Sequence, residues 1–116
     1  LQASSRRKGL FYIYKTYTLY IRRQDLVEFR WIEWNVQHIA QHGVEPEEAE
    51  EVVLTGVTMK GRENALIATG PTSEGRFLFV VYKKDGNQVF VITARNMTEK
   101  EKRSWRKRYG KKKRRP

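Results

Sequence analysis

The hydrophobic pattern changes period along the chain, and the changes mark its elements. Phe29–Trp31 is a short run of strand formers. Over about 33–42 the apolar residues take helical spacing. At about 100° per residue, Ile32, Val36, Ile39 and Ala40 share one arc. Trp34, Gln37, His38 and Gln41 lie away from that arc, and Asn35 and His42 sit at its edge. Gly43 follows as a C-terminal stop, because a left-handed residue costs glycine little. A second helix is predicted over about 46–54. Pro46 suits its first position, Glu47 and Glu48 its first turn, and Ala49, Val52 and Val53 form an inward stripe.

Beyond Gly56 the period shortens to that of strands, predicted at 57–60, 65–70, about 76–84 and about 88–95. Asp85-Gly86 between the last two is a tight-turn signal. FLFVVY and VFVI are nearly all apolar, which predicts central strands covered by helices on at least one face. Thr98 and Glu101 then form the S/T-x-x-E pattern of a capping box. The helix they open, predicted to end at Gly110, has only Trp105 and Tyr109 on its apolar side. It should dock through that seam and leave its Lys/Arg side in water. The resulting order, β-α-α-β-β-β-β-α, predicts an α+β fold: an antiparallel sheet of about four strands, two helices before it and one after.

Charge changes the picture at the two ends. Of the formal +11, residues 1–28 contribute +4 (six basic, two acidic), residues 29–98 contribute −2 (seven basic, nine acidic) and residues 99–116 contribute +9 (eleven basic, two acidic). A polyanionic partner is implied, with nucleic acid first among the candidates. Residues 1–28 read as an extension outside the compact domain at 29–109 and are expected to be poorly ordered, because LFYIYKTYTLYI has no evident hairpin partner. Residues 110–116 read as a disordered basic tail. Cysteine is absent, which excludes disulfides and thiolate metal sites and fits a reducing cytoplasm. No apolar run approaches the roughly 20 residues of a membrane span.

Few groups could carry chemistry. His38 and His42 have metal-ligand spacing, but HIAQH lacks the Glu that a zinc-protease helix places after its first His, and no third ligand is evident. No cofactor is expected. RNA cleavage asks for less, because the 2′-hydroxyl is a nucleophile already tethered to the scissile phosphate. The protein must align it, take its proton, stabilise the phosphorane charge and protonate the leaving oxygen. His42 at a helix end and Arg95 at the end of the last strand are the candidates. Plainer roles compete. His42 could bond backbone at the helix end, and Arg95 could pair with Glu48 or Glu51. Trp31 and Trp34 read first as packing residues, and the Glu cluster at 45–51 as a solvated helix face.

FRWIEWNVQHIAQHGVEPEEAEEVV, an apolar sheet and the exit VITARNMTEKEKRSWRK together resemble the BrnT toxins of bacterial type II toxin–antitoxin systems, over about residues 29–109. The resemblance implies a RelE-like fold and a metal-independent endoribonuclease that restrains translation in the cytoplasm. It implies a ribbon-helix-helix antitoxin (BrnA-like) as partner, with promoter DNA bound only by the toxin–antitoxin complex. It points to Trp31, His42 and Arg95 first, and less specifically to Glu101 and Arg103. His42 and Arg95 are thus the expected catalytic pair, and Trp31, Lys102, Arg103, Arg106 and Lys107 the expected RNA contacts. Ile32 departs from the family pattern, which has Asp or Asn after the motif's aromatic residue. The alternative is a nucleic-acid-binding protein that uses the same basic helix and tail without cutting. A third reading is an interaction module docking another protein through the acidic second helix, 46–54, or the basic tail.

Overall fold

The computed structural model describes residues 16–22 and 25–110. The expected disorder of the tail beyond Gly110 and of residues 1–15 lies outside them. The elements are β1 (Thr16–Arg22), β2 (Asp25–Trp31), α1 (Glu33–Ala40), α2 (Pro46–Thr55), β3 (Val57–Lys60), β4 (Leu66–Pro71), β5 (Phe77–Asp85), β6 (Gln88–Asn96) and α3 (Glu99–Trp105). The last helix widens into a π-helical turn at Arg106–Gly110.

The α+β class and the three helices are as expected, but the sheet has six strands in the order β1-β2-β6-β5-β4-β3, five of them from Asp25 onward. β1 pairs antiparallel with β2 from Thr16 opposite Trp31 to Arg22 opposite Asp25. The hairpin partner missing from the sequence reading is therefore Asp25–Trp31, of which only the aromatic end looked like strand. Residues 16–22 and 25–28 belong to the sheet. The sheet is also not wholly antiparallel. β2 runs parallel to β6, paired at Glu28 with Gln88 and at Phe29 with Val89.

Beyond those two pairs β2 and β6 diverge, and α1 fills the gap. Asn35 is fully buried there. Its side-chain amide donates to the carbonyls of Arg30 (3.2 Å) and Val91 (3.0 Å), and its Oδ1 accepts from the Ile32 N–H (2.8 Å). Ile32, at the N-cap, gives α1 no side-chain cap. The reciprocal bond from Asn35 satisfies one orphan donor of the helix start instead.

The core lies between one sheet face and α1 and α2. Phe29, Trp31, Leu78, Val80, Tyr82, Val89 and Val91 face Val36, Ile39, Ala49 and Val52. Ala40, expected on the inward stripe, is exposed because the helix ends there. Gly43 adopts φ +72°, the left-handed stop expected of it. α3 lies on the other face. Its capping box is formed, with Glu101 N–H donating to Thr98 Oγ1 (3.1 Å) and Thr98 N–H to Glu101 Oε1 (2.8 Å). Trp105 meets Phe77 edge-on at 5.4 Å and lies 5.2 Å from Tyr109, which is the aromatic seam the sequence predicted.

Candidate active site

The position of Arg95 depends on an irregularity in β6. Val89 and Val91 point into the core, and simple alternation would point Thr93 and Arg95 there too. The register breaks first: Tyr82 is opposite Val91 but Val81 is opposite Thr93, so Ile92 is an extra residue. This bulge shifts the phase by one. Ala94 takes the buried position and Arg95 emerges on the α3 face, opposite Phe79.

There Arg95 is held by three groups. Its guanidinium carbon lies 4.1 Å from the centroid of the Phe79 ring. Nη1 donates to Glu101 Oε1 (2.9 Å) and to the Asn96 carbonyl (3.0 Å), and Nη2 donates to Glu101 Oε2 (3.1 Å). The carboxylate partner expected from Glu48 or Glu51 is thus Glu101. Arg95 keeps 38% of its side chain exposed, so the clamp fixes its direction without sealing it. Glu101 raises the Arg95 pKa further above its ordinary value.

Glu101 joins two jobs in one carboxylate, capping α3 and clamping Arg95. The Arg95 hydrogen bonds, then the Thr98 backbone N–H, lower its pKa to about 2 from an ordinary 4.5. The folded protein therefore binds this proton less readily than the unfolded chain. The resulting stabilisation is complete above about pH 4.5 and is lost as pH falls toward 2. In urea unfolding, the midpoint difference between the unmodified protein and Glu101→Gln is expected to be largest near neutral pH and to shrink across that window. A difference that stays constant with pH would rule out this linkage.

A second arginine, absent from the sequence candidates, converges on the same strand end. Arg76 donates from Nε to Asn96 Oδ1 (2.9 Å) and from Nη1 to Glu48 Oε1 (2.7 Å). A Cβ at Gly43 would lie 3.6 Å from its Nη2, so the turn that carries His42 rests against it. Nothing in the local sequence distinguishes Arg76, since its partners come from a helix 28 residues earlier and a strand 20 residues later. Asn96 thus links the two arginines, Arg95 through its carbonyl and Arg76 through its side chain.

His42 is exposed, in the turn after α1. Its ring meets His38 edge-on at 6.2 Å, and His38 stacks on Trp34 at 5.1 Å. Among the described residues no hydrogen bond or ring contact joins His42 to Arg95 directly. The link runs through Gly43, Arg76 and Asn96.

The expected RNA contacts divide. Arg103 and Lys107 are exposed on α3 and its extension. Lys102 pairs with Glu99 at 3.2 Å, and Arg106 lies over the Phe77 ring at 5.1 Å. Trp31 is no surface contact. It is fully buried, and its indole N–H donates to Glu50 Oε2 at 2.7 Å. An RNA base could reach it only by opening the core. Glu50 is buried as well, which corrects the reading of that acidic cluster as a solvated face. The exposed tryptophan of α1 is Trp34, 51% accessible and stacked between His38 and Phe90.

A small, basic α+β chain with two arginines meeting at Asn96 is suited to a polyanionic partner. The comparison with protein families agrees: the model of the BrnT ribonuclease toxins of type II toxin–antitoxin systems matches residues 31–101, more than half of the chain. The protein belongs to the BrnT family. That membership brings with it an RNA target and an antitoxin partner. No curated protein and no solved structure matches the chain. Among the described residues no helix is long and apolar enough to cross a membrane.

Proposed function

We propose that the protein is a metal-independent endoribonuclease that cuts RNA by internal transesterification and so restrains translation in the bacterial cytoplasm. The observation that carries this reading is the strand end itself. Arg95, aimed outward by the bulge and oriented by Glu101, lies at Asn96, and the turn bearing His42 reaches the same residue through Arg76.

In this mechanism the RNA phosphate meets the open edge of the Arg95 guanidinium. His42 takes the proton of the 2′-hydroxyl, or gives one to the leaving oxygen. The 2′-oxygen attacks phosphorus, the bond to the 5′-oxygen breaks, and a 2′,3′-cyclic phosphate and a 5′-hydroxyl result. Arg95 stabilises the charge that gathers on the phosphorane oxygens, a task suited to a planar, permanently charged donor. Arg103 and Lys107 contact flanking phosphates, which makes binding fall steeply with salt. A BrnA-like ribbon-helix-helix antitoxin would silence the toxin and carry it to promoter DNA.

The test is incubation of purified protein with single-stranded RNA in EDTA, with end-group analysis, beside His42→Ala. Cyclic phosphate ends without metal are expected, with cleavage by the variant reduced about 10²-fold or more, the usual range for a general acid or base. Absence of cleavage across several substrates would defeat the reading. One observation favours binding without scission: Glu101 matches the charge of Arg95 one for one. That reading predicts salt-sensitive RNA binding with intact strands, and indifference to His42→Ala.

A further inference from the structure

We infer that the cavity between α3 and the outer face of the sheet is a pocket for one nucleobase of the RNA strand whose phosphate Arg95 receives. The inference rests on the ribonuclease reading and names the part of the substrate recognised. The cavity measures about 190 Å³. Met59, Phe79, Ser104, Trp105, Arg108 and Tyr109 line it, and Glu101 stands at its edge. It therefore adjoins the Arg95 clamp, because Glu101 and Phe79 belong to both.

The chemistry of the lining is specific. Trp105 packs so closely on β4 that a Cβ at Gly70 would lie 3.4 Å from its ring. This contact withdraws the indole from water. Its Nε1 is buried, and among the described residues no group accepts its hydrogen. A buried N–H without an acceptor is costly and rare in folded proteins. The N–H gains nothing at this depth, so what Trp105 brings to the cavity is its aromatic ring.

A nucleobase supplies flat faces for the aromatic rings of Trp105 and Tyr109 and for the Met59 thioether. Arg108 at the lining suits a phosphate beside such a base. The same combination of aromatic faces with a cationic rim is the general solution for holding single-stranded nucleic acid. The exposed rim residue Met59 (44% accessible) leaves the mouth open to a strand.

The experiment uses 2′-O-methyl RNA octamers, which keep bases and phosphates but have no free 2′-hydroxyl, and an octamer of equal phosphate number built on abasic sugars. The full protein is expected to bind the best base-bearing octamer at least about five-fold more tightly than the abasic one. The indole N–H resonance of Trp105, identified by its loss in Trp105→Phe, should shift with base-bearing RNA only. Met59→Trp, which fills the mouth from the exposed side, should erase the advantage of the bases and leave abasic binding unchanged. This variant and the resonance carry the test if Trp105→Phe does not fold.

Equal affinity for both strands, or an unmoved indole signal, would overturn the inference. Cleavage of ordinary RNA, followed in parallel, separates the two levels. Cleavage retained without a base advantage sinks the pocket alone, whereas absence of both cleavage and RNA binding removes the ribonuclease reading and the pocket with it.

Discussion

Arg95→Ala is expected to slow RNA cleavage by about 10²- to 10³-fold, the usual cost of removing one donor aimed at charge that forms in the transition state. Arg95→Lys is expected to recover only part of the loss. An ammonium keeps the charge but not the fork that lets one side chain hold Glu101 with two nitrogens while it still faces a phosphate. The fold should tolerate either change. The ion pair is more than a third exposed, and pairs of that kind contribute little to stability. Glu101 also retains its place in the capping box through the Thr98 backbone. The measurement is single-turnover cleavage at saturating enzyme, with thermal unfolding recorded on the same samples. Arg95→Ala that cleaves at the unmodified rate would remove Arg95 from the mechanism. A slow variant with an unfolding temperature far below the original would instead show that the residue works through the fold.

The sequence carried some parts of this arrangement because their causes are local. The Thr98–Glu101 box, the left-handed Gly43 and the Trp105–Tyr109 seam depend on residues within one or two turns, and each stands where its pattern put it. The outward position of Arg95 does not. It follows from the extra residue at Ile92, and an apolar run such as VFVIT reads the same with or without a bulge. The place of Trp31 was hidden for a related reason. An aromatic residue at the end of a strand can face solvent or core, and only the arrival of Glu50 from α2 decides between them. Arg76 was missed because a basic residue at the start of a strand is ordinary until Glu48, Asn96 and the α1 turn close around it. The hairpin with β1 was missed because Asp25–Glu28 bears charges at both ends, and strand propensity gives such a segment little weight. Residues that meet their partners in the next turn are legible. Residues that wait for a distant element are not, and most of the candidate site is of the second kind.

The strongest of those distant ties is Asn35, and Asn35→Ala is expected to destabilise the protein by about 3 kcal/mol. The side chain has no solvent exposure and serves three backbone groups from three elements: the Ile32 N–H at the start of α1, the Arg30 carbonyl at the end of β2 and the Val91 carbonyl in β6. Alanine removes one acceptor and two donors at once. Each buried partner left unsatisfied costs about 1–3 kcal/mol, and those nearer the surface less, because water can reach them. For a domain of this size 1 kcal/mol moves the unfolding midpoint by about 4–8 °C, so a fall of roughly 15 °C is expected. Gln37→Ala, two residues on, is the control. Its amide bonds only the exposed Glu33 carboxylate, and a change there should stay within about 0.5 kcal/mol. Urea unfolding of both variants, at unchanged slope, gives the comparison. Equal midpoints would mean that α1 is held at the sheet by the packing of Val36 and Ile39 alone. The predicted loss would instead place the amide at the junction where two parallel strands part. There it anchors the helix whose far end carries His42 to the strand whose far end carries Arg95.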